Sequence, residues 1–248
     1  SMTTTCKNCN STFKGNFCHN CGQSAKTHRL DLHSVWHDIQ HGLLHVDKGI
    51  VYSIRELFTR PGHTIREYLA GKRVKHFKPV SLLIIQATIY VLINHFLHLD
   101  LIEESGNTIS IKNLGIEFKF DATQGDNNPL AGTIRDFVES KFALLQLLFL
   151  PAFAFASWLA FRKSGFNYME HLIINAFLRG QAMVIAISLL PFVYFGVFSS
   201  KTSSTIFSLL QVACLFWAFL QLFHGYKKLR ILKKTILAMI YLLFEVIV

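Results

Sequence analysis

The sequence predicts an all-α polytopic membrane protein with about five transmembrane helices, interfacial amphipathic helices ahead of them, and a small zinc ribbon or knuckle at the N-terminus. Three observations predict it. Hydrophobic residues make up 51% of the 248, Phe alone contributes 23, and only 16% are charged. Apolar stretches long enough to cross a bilayer as helix recur through the second half of the chain. Four cysteines stand as two C-x2-C pairs near the start.

The first unit, residues 1–27, is built on Cys6, Cys9, Cys18 and Cys21. Their C-x2-C-x8-C-x2-C spacing lets four thiolates converge on one tetrahedral ion, and zinc suits four soft ligands. Such a short segment, poor in apolar side chains, needs a metal to hold a fold. Four thiolates leave no open coordination position, so the zinc is expected to be structural. Gly15 and Gly22 are expected to allow the tight backbone after each knuckle. The competing disulfide reading is disfavoured by a reducing cytoplasm. Cys214, alone in a later span, reads as a packing residue. Ser1 ahead of Met2 reads as a cloning remnant, and no signal peptide is expected.

Residues 28–79 read as cytoplasmic amphipathic or interfacial helices. Apolar positions at helical spacing run from Leu32 to Phe58, interrupted by Gly42 and Gly49, and a third short helix from about His63 to Leu69 follows Pro61. Within the first lie His33, His37, His41 and His45, each four residues from the next, with His28, Asp31, Asp38 and Asp47 nearby. Residues four apart share a helix face, so neighbouring pairs can hold a second divalent metal or form a proton-linked face. The drift of about 40° per step keeps all four from serving one ion, and an interfacial row of histidines is the plainer reading.

The transmembrane bundle occupies 80–248, with spans at about 80–99, 142–161, 172–198 (broken by Pro191), 206–224 and 229–248. The last depends on a basic first turn or a thinned bilayer to reach across. Residues 1–79 hold twelve Lys/Arg against five Asp/Glu, whereas 99–141 hold four against eight. With basic segments inside, the N-terminus is cytoplasmic, the C-terminus is outside, and 100–141 is an outward loop. Within that loop, Thr108 to Ile111 and Gly115 to Phe120 alternate as a hairpin.

Polar groups in the spans are the next candidates, because ionisable side chains at membrane depth face a bundle interior or an aqueous cavity. Asn94, His95 and His98 fall at the outer end of the first span. Glu170, His171, Asn175, Arg179 and His224 group towards the inner side as a polar vestibule for a ligand, against a plainer reading as snorkelling residues. Arg60, Lys72 and Arg73 lie in a basic segment leading to the first span and are candidates for a lipid headgroup, with ordinary positive-inside anchoring as the plainer role.

These residues together resemble the bacterial membrane family known as domain of unknown function 3667. The resemblance is carried by the knuckle ending in Cys21-Gly22-Gln23, by Asp47-Lys48-Gly49, by Arg60-Pro61-Gly62 with Tyr68, Gly71, Lys72, Arg73 and Pro79, and by Asn167-Tyr168-Met169-Glu170-His171. It implies an architecture and leaves the activity open. The layout also resembles, more weakly, the five-span Yip family.

The leading expectation is a bacterial inner-membrane protein that binds or transports a small ligand, ion or lipid, with the knuckle docking a cytoplasmic protein partner or bracing the helices. The alternatives are a metal-dependent enzyme acting on lipid, using the His33 to His45 helix with Glu170 and His171, and a scaffold or sensor. Membrane lipids are the expected partners. Nucleic acid is disfavoured because the basic residues flank apolar spans. No phosphate-binding glycine loop or serine nucleophile elbow is present in the sequence.

Overall fold

The computed structural model describes residues 3–25, 27, 29–31, 49–99, 102–105, 108–111, 116–119 and 129–247. The N-terminal unit pairs β1 (Thr4–Thr5) with β2 (Thr12–Phe13) in antiparallel register, Thr4 opposite Phe13 and Thr5 opposite Thr12. Each cysteine pair is closed by the same kind of turn. Asn10 N donates to Cys6 O and Gly22 N to Cys18 O, at 2.9 and 2.8 Å. The residue that turns the chain is left-handed in both, Asn10 at φ 60° and Gly22 at φ 74°. Gly15 is left-handed too, at φ 106°, and Asn10 joins it because a short amide side chain tolerates that region almost as glycine does.

Helix α1 (Gly49–Thr59) is followed by α2 (Pro61–Leu69), which opens on a proline whose missing N–H would be unpaired at a helix start anyway. It closes on a Schellman turn: Lys72 N donates to Glu67 O and Gly71 N to Tyr68 O, both 3.0 Å, with Gly71 at φ 104°. Both helices pack onto the bundle. Thr64, Ile65 and Tyr68 are buried, and an added Cβ on Gly62 would lie 2.4 Å from Ala218 O and Leu222 N of a later helix.

Helix α3 (Pro79–Leu97) starts on another proline and stops where His98 turns left-handed at φ 52°. Three short strands follow, β3 (Ile102–Ser105), β4 (Thr108–Ile111) and β5 (Ile116–Lys119), hydrogen-bonded in that order as an antiparallel meander. The expected hairpin is β4 and β5, and β3 extends it. Helix α4 (Pro129–Phe161) starts inside the region expected to be loop. It bends at Lys141, where φ −124° and ψ 17° leave helical values, so that Ser140–Ser164 forms the apolar part. A 3-10 turn (Arg162–Ser164) and Gly165 lead into α5 (Tyr168–Tyr194). Helices α6 (Ser200–Leu222) and α7 (Lys228–Ile247) complete the chain.

Among the described residues, four helices are long and apolar enough to cross a membrane: Pro79–Leu97, Ser140–Ser164, Tyr168–Tyr194 and Lys201–Leu222. The stretch expected as a fifth span is helical but stands apart from these four, because Lys228, Arg230, Lys233 and Lys234 load its first two turns. Helix α5 is central and packs against α1, α3, α4 and α6, while α7 lies against α4 and α6. Phe96, Leu148 and Leu209 point outwards, as apolar side chains do when lipid is their solvent.

Candidate functional site

Cys6, Cys9, Cys18 and Cys21 come together. Their sulfurs all lie within 4.8 Å of one another, with Cys6 and Cys21 at 3.5 Å and Cys9 and Cys18 at 3.5 Å. Four sulfurs about 2.3 Å from one ion stand about 3.8 Å apart, so the spacing fits a tetrahedral metal. Hydrogen bonds from the Ser11 side chain and backbone bring the Cys9 thiol down to about 6, whereas burial pushes Cys18 up to about 11. A bound cation reverses the second effect, since it compensates a buried thiolate.

The cysteine unit is fastened to the helices through its own backbone exit. Gln23 Nε2 donates to Gly71 O at 2.8 Å, and its Oε1 accepts from Arg73 N at 3.3 Å. Further on, Arg29 Nε and Nη2 donate to the two oxygens of Glu170 at 2.8 and 2.7 Å, and Arg29 Nη2 also donates to Gly165 O. Asn167 Nδ2 donates to Leu30 O, and Leu30 is buried in the main core.

Glu170 is therefore engaged at the start of α5. It accepts from Asn167 N at 2.7 Å while Asn167 Oδ1 accepts from Glu170 N at 2.7 Å, a reciprocal capping box. At the next residue, His171 Nδ1 lies 3.0 Å from Ser157 Oγ of α4, which accepts from Asn175 Nδ2 at 2.8 Å and lies 3.0 Å from Ala154 O. The one hydroxyl hydrogen serves either Ala154 O or His171 Nδ1, and in both cases His171 Nε2 is buried and has no partner among the described residues.

Two turns further, Arg179 Nη2 donates to Gln146 Oε1 at 2.8 Å, and the guanidinium lies 4.6 Å over the Phe153 ring. On the α3 side, Gly180 admits Gln86, whose Oε1 would be 2.9 Å from a Cβ placed there. Gln146 Nε2, both polar atoms of Gln86, and Ser81 Oγ are buried with no partner among the described residues. Ser157, His171, Asn175, Arg179, Gln146 and Gln86 thus form a polar seam between α3, α4 and α5.

The residues expected to line a vestibule are placed as follows. Glu170, His171, Asn175 and Arg179 follow one another down α5, but His224 is exposed, with Nε2 3.4 Å from Arg66 Nη1. Phe223, not His224, faces His171, with ring centroids 6.5 Å apart. The basic candidates have protein partners: Arg60 pairs with Glu56 at 2.5 Å and Glu67 at 3.5 Å, Lys72 with Glu67 at 3.5 Å, and Arg73 lies 5.4 Å over the Tyr68 ring. His28, His33, His37, His41 and His45 lie outside the described residues. Gln86, Gln146, Ser157 and Arg29 were not anticipated. A lone amide inside an apolar span is a readable signal for the first two, and nothing local marks Arg29.

The family model described as "Protein of unknown function (DUF3667)" matches residues 47–91, which cover α1, α2 and the first two thirds of α3. That stretch includes Arg60-Pro61-Gly62, Gly71, Pro79 and Gln86. No curated protein and no solved structure matches the chain.

Proposed function

We propose that this chain is an integral protein of the bacterial cytoplasmic membrane that binds or passes a small polar ligand through the seam between α3, α4 and α5. The single observation carrying this reading is the set of polar atoms on Gln86, Gln146 and His171 that, at the depth of the spans, have no partner among the described residues. Polar groups in that position are costly unless something completes them, and helix-lined sites in membranes are built this way. The basic residues Arg162, Lys163, Lys227, Lys228 and Arg230 gather at one end of the helices, which supports a cytoplasmic N-terminus. The cysteine cluster is read as a structural zinc site, and the bonds from Gln23 and Arg29 favour bracing of the helices over a free docking module.

Native mass spectrometry of the detergent-purified chain tests the seam. The expected result is a small polar adduct that is lost from the Gln86→Leu, Gln146→Leu double variant. No adduct, together with a double variant that melts above the unsubstituted chain, would mean that the amides are only a packing defect.

A further inference from the structure

We infer that the corner between the end of α4 and the start of α7 binds the phosphate of an anionic membrane lipid, gripped by Arg162, Lys163 and Arg230; this goes beyond the seam and does not rest on it. The corner is built by the chain's own bonds. Tyr226 Oη donates to Lys163 O at 2.7 Å across 63 residues of chain, and Lys234 Nζ donates to Ala160 O at 2.9 Å across 74. Together they hold the first turns of α7 against the 3-10 turn that closes α4. The Lys234 ammonium also lies 5.3 Å from the Phe161 ring and 5.6 Å from the Tyr226 ring, so it is engaged inside the joint.

Around that joint the charge has one sign. Arg230 lies four residues before Lys234, on the same face of α7, and Arg162 and Lys163 follow Ala160 on the 3-10 turn. All three side chains are exposed, and among the described residues none of the three has a carboxylate, hydrogen-bond or ring partner. Burial first, and then the charges of Arg230, Lys163 and Arg162, hold the Lys234 ammonium below its ordinary range, so all three cations lie close to it.

The basic segment ahead of α3 is treated differently. There Arg60 and Lys72 are matched by Glu56 and Glu67. At the corner the carboxylate that follows the turn, Glu170, is held by Arg29. Charges that only set topology can be spread along loops, whereas these are assembled from two distant segments round one joint, where they repel unless an anion sits among them.

Phosphate follows from the donors. Two guanidinium forks match phosphate oxygens in pairs, and an ammonium adds a point charge. A membrane source follows from the neighbouring surface. Leu237 lies seven residues on from Arg230 and three from Lys234, on the same helix face, and is 37% exposed. A soluble phosphate leaves that leucine uncovered, whereas an acyl chain descending from a headgroup at Arg230 runs along it.

Native mass spectrometry of the full chain in a neutral detergent provides the test, with phosphatidylglycerol or phosphatidylcholine of the same acyl chains added, and inorganic phosphate added separately. The expected result is a saturable phosphatidylglycerol adduct, retained about tenfold or more above phosphatidylcholine, and weakened about tenfold or more by the Arg162→Gln, Arg230→Gln double variant. The Lys14→Gln, Lys75→Gln double variant, which removes the same charge from the cysteine unit and the approach to α3, is expected to retain the adduct unchanged. Equal retention of the two lipids overturns the proposal, and so does an equal loss in both double variants, which would assign the attraction to net charge. Inorganic phosphate binding as tightly as the lipid, in a manner the arginine variant abolishes, overturns the lipid assignment in favour of a soluble phosphate. Where the arginine variant fails to fold, Lys163→Gln decides: a weakened adduct supports the corner and an unchanged one overturns it.

Discussion

Arg29 and Glu170 meet in a two-pronged ion pair, 2.8 and 2.7 Å, across 141 residues of chain, and the two partners are unequally placed. The arginine side chain is 60% exposed and the carboxylate 6%. Removing the exposed partner strands a buried charge, whereas neutralising the buried one releases an arginine into water. Glutamine at position 170 also still serves the capping box. Arg29→Gln is therefore expected to destabilise the chain more than Glu170→Gln does. Denaturant unfolding of both variants checks the order, and equal losses would contradict it.

The Gln23 side chain holds the cysteine unit to the turn after α2, while its backbone oxygen accepts from Cys18 N. Gln23→Ala is expected to leave one metal per chain by elemental analysis while speeding amide exchange at Arg73, whose N–H loses its partner, at a cost of about 1 kcal/mol. Replacing Cys6 and Cys9 together should remove the metal and produce the same faster exchange. Slow exchange in the metal-free variant would separate the two features.

Gly62 lets α2 lie close against α6. A methyl group there meets Ala218 O, Gln221 Cβ and Leu222 N, each 2.4 Å away, and two of these are backbone atoms. They cannot rotate aside, so the helices must part. Gly62→Ala is expected to cost about 1–3 kcal/mol despite the better helix propensity of alanine. A melting temperature at or above that of the unsubstituted chain would show that α2 docks more loosely.

His76 lies between the Tyr52 and Tyr68 rings, at 5.2 and 6.1 Å, and burial holds its imidazole below the ordinary range, with Glu67 and Glu56 acting weakly the other way. A histidine depressed in the folded state takes up its proton first in the unfolded chain. Its contribution is complete above the unfolded value, about 6.5, and is lost as the pH falls from there through the lower folded value. The chain is thus expected to lose melting temperature between pH 7 and pH 5, and His76→Phe to flatten that slope. Parallel slopes would assign the acid sensitivity to other groups.

Much of this architecture was legible because membrane spans obey a length rule that few polar residues interrupt. Pro79, Asn167 and Ser199 then mark starts that helix chemistry requires. The β4 and β5 pair was visible as alternation, while β3 was hidden because Glu103-Glu104 breaks the alternation. The first turns of α4 were read as loop because Arg135, Asp136, Glu139 and Lys141 make them polar, yet a helix tolerates all four. In the seam, Glu170, His171 and Arg179 stood out by their charge or ring, and Asn175 by lying one turn from His171. Gln86 and Gln146 were passed over because a single amide does not end a span. Arg29 had no local pattern to betray it, since its meaning lies in a partner 141 residues away.

The turn joining α4 to α5, the turn joining α6 to α7, the α2 helix and the cysteine unit all gather at one pole of the bundle. Tyr226 Oη donates to Lys163 O there at 2.7 Å, Lys234 Nζ to Ala160 O at 2.9 Å, and Arg66 to the last carbonyls of α6, Gln221 O and Leu222 O. At the far pole, Phe195 and Val197 stand exposed beyond the end of α5. Among the described residues, these cross-links tie the helix ends to one another at the cysteine-bearing pole, so that the cysteine unit sits where the helices are anchored together.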